Sequence, residues 1–142
     1  MCIRDRINII LEPDFTKYSL ALIEKDKIVF SSRESGLKPL WECLKIFHGS
    51  KRSFILFDKV IGLAAAKLIV HAQIISRIET PLVSEPAKMF LEKNDIPIKA
   101  AQIVTHILTK DRTATCPGEI IALNTAGIEE FLTKIEEMLN RQ

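Results

Sequence analysis

The sequence predicts a single α/β domain, a three-layer α/β/α sandwich built on a mixed sheet. Two short runs of β-forming residues are separated by three polar residues, which is typical of a hairpin. After them, segments with helical periodicity alternate with short apolar runs, which indicates strands alternating with helices. The length of 142 residues, 47% of them hydrophobic and 27% charged, suits one globular domain.

In the first half of the chain, the hairpin strands are predicted at 18–23 and 28–31. A helix follows, and its apolar positions recur at helical spacing: Leu37, Leu40, Trp41, Leu44 and Phe47. Residues 53–57 are nearly all apolar, as expected for a strand buried on both faces. Asp58 comes next, and an alanine-rich helix is predicted from about residue 60 to residue 72.

In the second half, residues 73–79 are predicted to form a strand, and Ser84 is a suitable N-cap for the next helix. A further strand is expected within 98–108, most clearly at 103–108, and a short helical turn is expected at 116–119. The last helix has the strongest pattern, an apolar stripe of Ile128, Phe131, Leu132, Ile135, Met138 and Leu139. A hairpin followed by alternating helices and strands predicts a mixed sheet with helices on both faces.

Composition limits the classes of function. A net charge of +2, from 20 basic and 18 acidic residues, gives no electrostatic footprint for nucleic acid or for an anionic membrane. Three scattered cysteines do not form a disulfide framework, and no apolar run is long enough to span a bilayer. We therefore expect a cytoplasmic protein. The three histidines show no metal-ligand spacing, and no metal or other cofactor is predicted.

The N-terminus is treated separately from the domain. Residues 1–6 resemble a translated adapter remnant rather than a native start, so Cys2 is given no role. We assign residues 1–14 to an N-terminal extension and residues 15–142 to the single domain.

The first candidate site follows the strand at 53–57. Ligands of open α/β sheets bind at the carboxyl ends of the strands, where Asp58 and Lys59 are expected. Gly62, expected about a turn into the helix, lacks a side chain and would let a ligand approach the backbone. The alternative is structural: Asp58 caps the helix, and Gly62 permits close packing between helix and sheet.

The second candidate site is formed by Cys116 and Glu119. Pro117 favours the first position of a helix, which makes Cys116 the N-cap, and a helix start stabilises a thiolate. Arg112 in the preceding loop could hold an anionic group near this thiol. The alternatives are a cysteine tolerated at a helix start, a solvated Arg112, and a Glu119 that only reaches back to its own helix cap.

Together these stretches resemble a family described as domain of unknown function 1893. The resemblance covers about residues 18–139 and is carried by 36–40, by 58–62 with 64–66, by Ser84, and by Cys116-Pro117 with Glu119. The resemblance implies a cytidine deaminase-like α/β/α fold.

The resemblance in fold does not imply the zinc chemistry of cytidine deaminases for this chain. Zinc deaminases need His or Cys with Glu at one helix start and Pro-Cys-x-x-Cys at the next. Here the two helix starts are Asp58-Lys59-Val60 and Ser84-Glu85-Pro86-Ala87, with neither imidazole nor thiolate. The sequence therefore argues against a zinc-dependent deaminase, and the fold alone implies no activity.

The leading hypothesis is a non-zinc ligand-binding or regulatory domain for a small polar or nucleotide-like molecule. Asp58 would accept ligand hydrogen bonds, and Lys59 or Arg112 would neutralise charge. One alternative is an enzyme in which Cys116 is the nucleophile, with Glu119 or His106 as its acid–base partner. Another is a structural or partner-binding domain. The sequence leaves open whether the chain is an enzyme, and it leaves open its oligomeric state.

Overall fold

A computed structural model describes residues 12–107 and 116–141. The strands are β1 (Leu20–Glu24), β2 (Lys27–Ser32), β3 (Phe54–Asp58), β4 (Ile75–Ser84) and β5 (Ile98–Val104). The helices are α1 (Lys38–Phe47), α2 (Leu63–Ala72), α3 (Glu85–Lys93), α4 (Pro117–Asn124) and α5 (Ile128–Asn140). None of the helices in these two ranges combines the length and the apolarity needed to cross a membrane.

The five strands form one mixed sheet in the order β2-β1-β3-β4-β5. β1 is antiparallel to both of its neighbours, whereas β3, β4 and β5 are mutually parallel. β2 therefore runs in the same direction as β3, and four of the five strands end on one side of the sheet. This side, where Ser32, Asp58, Ser84 and Val104 lie, is called the carboxyl edge below.

The predicted hairpin is confirmed, and it turns more tightly than three linking residues would suggest. Only Lys25 and Asp26 connect the strands, and both have positive φ, 51° and 66°. Positive φ at both central residues is the requirement of a type I′ turn, whose twist matches that of the flanking strands. A register shift between Leu22 and Ile23 lets the longer β2 follow β1.

Alternation along β1 shows how the sheet divides the core. Leu20 and Leu22 point into the larger apolar cluster, to which all five helices contribute buried residues. Ala21 and Ile23 point to the opposite face, into a smaller cluster completed by Tyr18 and Phe57, with Phe15 and Ile55 packed against it. The predicted α/β class with a mixed sheet is confirmed, and the arrangement is consistent with an α/β/α sandwich.

Several predicted boundaries were wrong. β4 continues to Ser84, because parallel pairing with β5 extends past the polar residues and Pro81. β5 lies at 98–104 rather than mainly at 103–108; as an edge strand it is rich in exposed residues, so its apolar signal is weak. α2 begins at Leu63, which makes Gly62 its N-cap rather than an interior residue. The short turn expected after Cys116 is a complete helix, α4.

Candidate functional site

A cavity of about 270 Å³ opens at the carboxyl edge of the sheet, next to the starts of α2 and α4. Five of the six residues predicted to form a site line it: Asp58, Lys59, Gly62, Cys116 and Glu119. The sixth, Arg112, lies outside the described residues. The two stretches of sequence that were singled out separately therefore line one cavity.

Asp58 is the last residue of β3 and is half-buried in the wall of the cavity. Burial raises the pKa of its carboxyl to about 8, although the backbone N–H groups of Val60 and Lys59 act in the opposite direction by donating to it. At neutral pH the carboxyl is therefore mainly protonated, so that it both donates and accepts hydrogen bonds. The helix-capping alternative for Asp58 was wrong, since α2 is preceded by Gly62.

The first turn of α2 is capped by a side chain from another helix. Gly62 offers no capping group of its own, and Glu119 Oε1 accepts a hydrogen bond from Ala64 N at 3.0 Å. A Cβ atom on Gly62 would lie 2.7 Å from Glu119 Cδ, so only glycine leaves room for this carboxyl group. Glu119 thus caps α2, and not its own helix as the sequence had suggested.

Several groups shift the pKa of the Glu119 carboxyl, and this residue is only 4% exposed. Burial raises its pKa, whereas hydrogen bonds from the backbone of Ala64 and Leu63 lower it, as do the charges of His106 and Lys67. The N–H groups of Leu63 and Ala64, at the start of α2, are occupied by this carboxyl. They are therefore not offered to an anionic ligand, although a free helix start commonly binds one.

Lys67 makes the reciprocal contact from α2 to α4. Its Nζ donates to Ala122 O at 2.6 Å and to Thr125 O at 2.9 Å, at the carboxyl end of α4. The same atom lies 5.4 Å from the centre of the Phe131 ring. Each helix therefore supplies the charge that suits an end of the other: a carboxyl at the start of α2 and an ammonium at the end of α4.

Cys116 is the N-cap residue of α4, as predicted, and its half-buried side chain lines the cavity. Its N–H donates to Ile107 O at 2.9 Å, so the backbone that carries His106 runs beside Cys116. The sequence had given no reason to bring these two residues together. The other described thiol, Cys43, is fully buried; burial and the nearby charge of Asp58 raise its pKa to about 12.

Sequence reasoning missed the wall of the cavity formed by 33–37, between β2 and α1. Ser19 fixes this segment, because the single proton of its hydroxyl is shared between the carbonyl oxygens of Ser32 and Glu34. Arg33 lies at the cavity, and its Nε donates to Lys17 O at 3.0 Å. The position of this wall follows from the topology of the sheet. In the observed strand order, the hairpin brings the end of β2 to the same edge as Asp58.

Fold and site together define an α/β domain with a cavity at the carboxyl edge of a mixed sheet, lined by three acids and a thiol. Within 12–107 and 116–141, no three His, Cys, Asp or Glu residues are grouped so that they could hold a metal ion. A family model, domain of unknown function (DUF1893), matches residues 10–139. The chain belongs to this family.

A solved structure of similar fold supports the architecture. It is the crystal structure of a DUF1893 family protein from Thermotoga maritima, with 24% sequence identity and a TM-score of 0.75. The similarity covers 87% of this chain and 82% of that one. No curated protein matches the sequence. These comparisons establish the fold and the family.

The contact between Gly62 and Glu119 generates a stability prediction. Gly62→Ala should lower the free energy of unfolding by about 1–3 kcal/mol, because the new methyl group displaces the carboxyl that caps α2. Gly118→Ala is the matched control, since its Cβ would meet its nearest neighbours at 3.7 Å and alanine favours a helix. Urea unfolding measures both. Equal losses in the two variants would contradict the capping role of Glu119.

The raised pKa of Asp58 predicts how stability depends on pH. Between about pH 4 and pH 8 this residue is ionised in the unfolded chain but protonated in the folded one, so its contribution to stability falls as pH rises. Asp58→Asn removes this loss and keeps an acceptor for the backbone. The variant should therefore gain stability relative to the parent progressively across that window, by up to about 1.4 kcal/mol for each unit of pH, and no further above pH 8. A difference that stays constant from pH 4 to pH 8 would show that burial does not hold the proton.

Proposed function

We propose that this chain is a non-zinc ligand-binding or regulatory domain whose cavity takes a small polar, nucleotide-like molecule. The observation that carries the proposal is convergence: Asp58 and Gly62 meet Cys116 and Glu119 around one cavity, although 55 residues separate Ala64 from its partner Glu119. Titratable groups with raised pKa values in a cleft are a recognised mark of a functional site. The cytidine deaminase-like fold remains part of this proposal and rests on the resemblance in sequence.

The size of the cavity limits the ligand. Its volume of about 270 Å³ is near the lower end of the range of ~300–1,000 Å³ for small-molecule sites. The walls combine apolar residues such as Leu37 and Ile107 with a few polar groups. A molecule with a flat ring or other compact apolar body, carrying polar groups at its rim, suits such a lining.

The polar groups of the cavity favour one orientation of a nucleotide-like ligand. Glu119 would repel a phosphate, and the N–H group of Ala64 at the start of α2 is already bonded to it. A protonated Asp58 instead suits a neutral edge that carries both donors and acceptors, as a nucleobase does. The phosphate would remain outside the inner part of the cavity, near the cationic side chains of Lys59 and Arg33, both exposed residues.

A thermal-shift measurement tests the proposal. The four common ribonucleosides and their 5′-monophosphates are added singly at millimolar concentration. At about 100 times its Kd, a ligand stabilises the fold by ~2.7 kcal/mol, which corresponds to a rise in Tm of roughly 5–10 °C for a domain of this size. If no compound raises Tm, the nucleotide-like ligand is ruled out.

Lys59→Ala tests the orientation. Loss of this cation should weaken the binding of a nucleoside monophosphate by about tenfold, which is the effect of removing a charge-assisted hydrogen bond. The parent nucleoside should be almost unaffected. Lys27→Ala, at the opposite end of β2 from the carboxyl edge, removes the same charge and should change neither affinity. If Lys59→Ala weakened the binding of the nucleoside and of the nucleotide equally, this would contradict a phosphate that lies outside the inner part of the cavity.

A second candidate function is an enzyme in which Cys116 is the nucleophile. The observation that favours it is the position of this thiol, which is half-buried at the start of α4 and faces the same cavity as Glu119.

Both described thiols are free, which supports the further proposal that the protein works in a reducing cytoplasm.

Iodoacetamide labelling tests the nucleophile directly. Cys2 is first replaced by serine, because it precedes the described residues. In the folded protein Cys116 should then label while the buried Cys43 does not, and Cys116→Ser should abolish labelling altogether. A nucleophile should label faster in the folded protein than the same residue does after unfolding in urea. A folded protein that labels no faster than the unfolded chain would leave Cys116 without this role.

A further inference from the structure

A second feature lies on α3, away from the cavity. Glu85, Met89 and Lys93 are spaced four residues apart and form one stripe along this helix. All three are exposed, and Met89 is 63% exposed. They line one side of an open groove, whose other side is the carboxyl end of α4 and the residues that follow it. No residue lines both this groove and the cavity at the carboxyl edge.

The charges on the stripe are complementary to those of a second copy. Glu85 and Lys93 lie on either side of Met89, each about 6 Å from it along the helix axis. If two copies of α3 pack antiparallel about a two-fold axis through Met89, Glu85 faces the partner's Lys93, and Lys93 faces the partner's Glu85. A two-fold contact requires this kind of self-complementarity, because both copies present the same patch.

The groove also provides an apolar centre for such a contact. Phe90 is half-buried beside Met89, and Leu123 of α4 is 47% exposed across the groove. Methionine has a flexible, polarizable side chain that adapts to an irregular apolar surface. An apolar middle flanked by charges is the usual composition of a contact between proteins.

We propose that this groove is the contact surface of a homodimer, in which α3 packs antiparallel against α3 of a second copy. Met89 of each copy enters the groove of the other and contacts Phe90 and Leu123. The two Glu85–Lys93 pairs set the register of the helices. This proposal does not depend on the ligand proposed for the cavity.

Sedimentation equilibrium of the full chain at 5–200 µM tests the surface. The parent protein should dimerise within this range, and Lys93→Glu should weaken the dimer at least about tenfold, because it places like charges together at both symmetry-related positions. Glu85→Lys should do the same. The double variant Glu85→Lys with Lys93→Glu exchanges the two charges and should restore the dimer to near its original affinity.

Lys88→Glu is the matched control. This variant makes the same change of charge on the same helix. Lys88 lies on the flank of α3 away from the groove, where its Nζ is 2.6 Å from Glu92 Oε2. This variant should dimerise as the parent does, and far-ultraviolet circular dichroism should show that all variants are folded. A monomeric parent, equal weakening by Lys88→Glu and Lys93→Glu, or a double variant no better than the single ones would each overturn the proposal.

Discussion

The exchange of capping groups between α2 and α4 is the contact on which the rest of the site depends. Glu119 supplies the acceptor that the start of α2 lacks, and Lys67 supplies donors for the carbonyl groups at the end of α4. The two contacts fix the helices side by side in the same direction. They also fix the cavity, because its wall at this point consists of the two helix starts. Gly62 follows from this arrangement, since any side chain there would displace the carboxyl.

Two of the acids that line the cavity, Asp58 and Glu119, lie in surroundings that disfavour their charged forms. Burial raises the pKa of Asp58 and of Glu119, and the two side chains face the same cavity. Capping of α2 offsets the desolvation cost of Glu119. Asp58 caps no helix, so a purely structural domain gains little from an acid at that position. Functional sites are expected where energetically unfavourable side chains line a cavity.

Much of the fold could be predicted from sequence because its signals are local. Ser84 was recognised as an N-cap, and its Oγ accepts from Ala87 N at 3.3 Å; Cys116 was placed correctly by the proline that follows it. The edge strand β5 was misplaced, because an edge carries few apolar residues and pairing with β4 determines where it lies. The rule that ligands bind at carboxyl ends of strands drew attention to Asp58 and Gly62, and both residues line the cavity.

What could not be predicted depends on contacts between distant parts of the chain. Capping rules examine neighbouring residues, so they assigned Glu119 to its own helix, and no sequence pattern connects it with Ala64. The wall at 33–37 was missed for a related reason. Its position depends on the direction of β1 within the sheet, and this direction becomes known only from the pairing of β1 with β3.

The long separation between Ala64 and Glu119 also affects how the chain folds during synthesis. The strands β3 and β4 and the helix between them are complete well before α4 leaves the ribosome. Until then the first turn of α2 has no cap, and its N–H groups remain bonded to water. Any sheet that forms before then has a frayed helix start beside it. The cavity is complete only when α4 and α5 have docked, because both helices contribute to its lining.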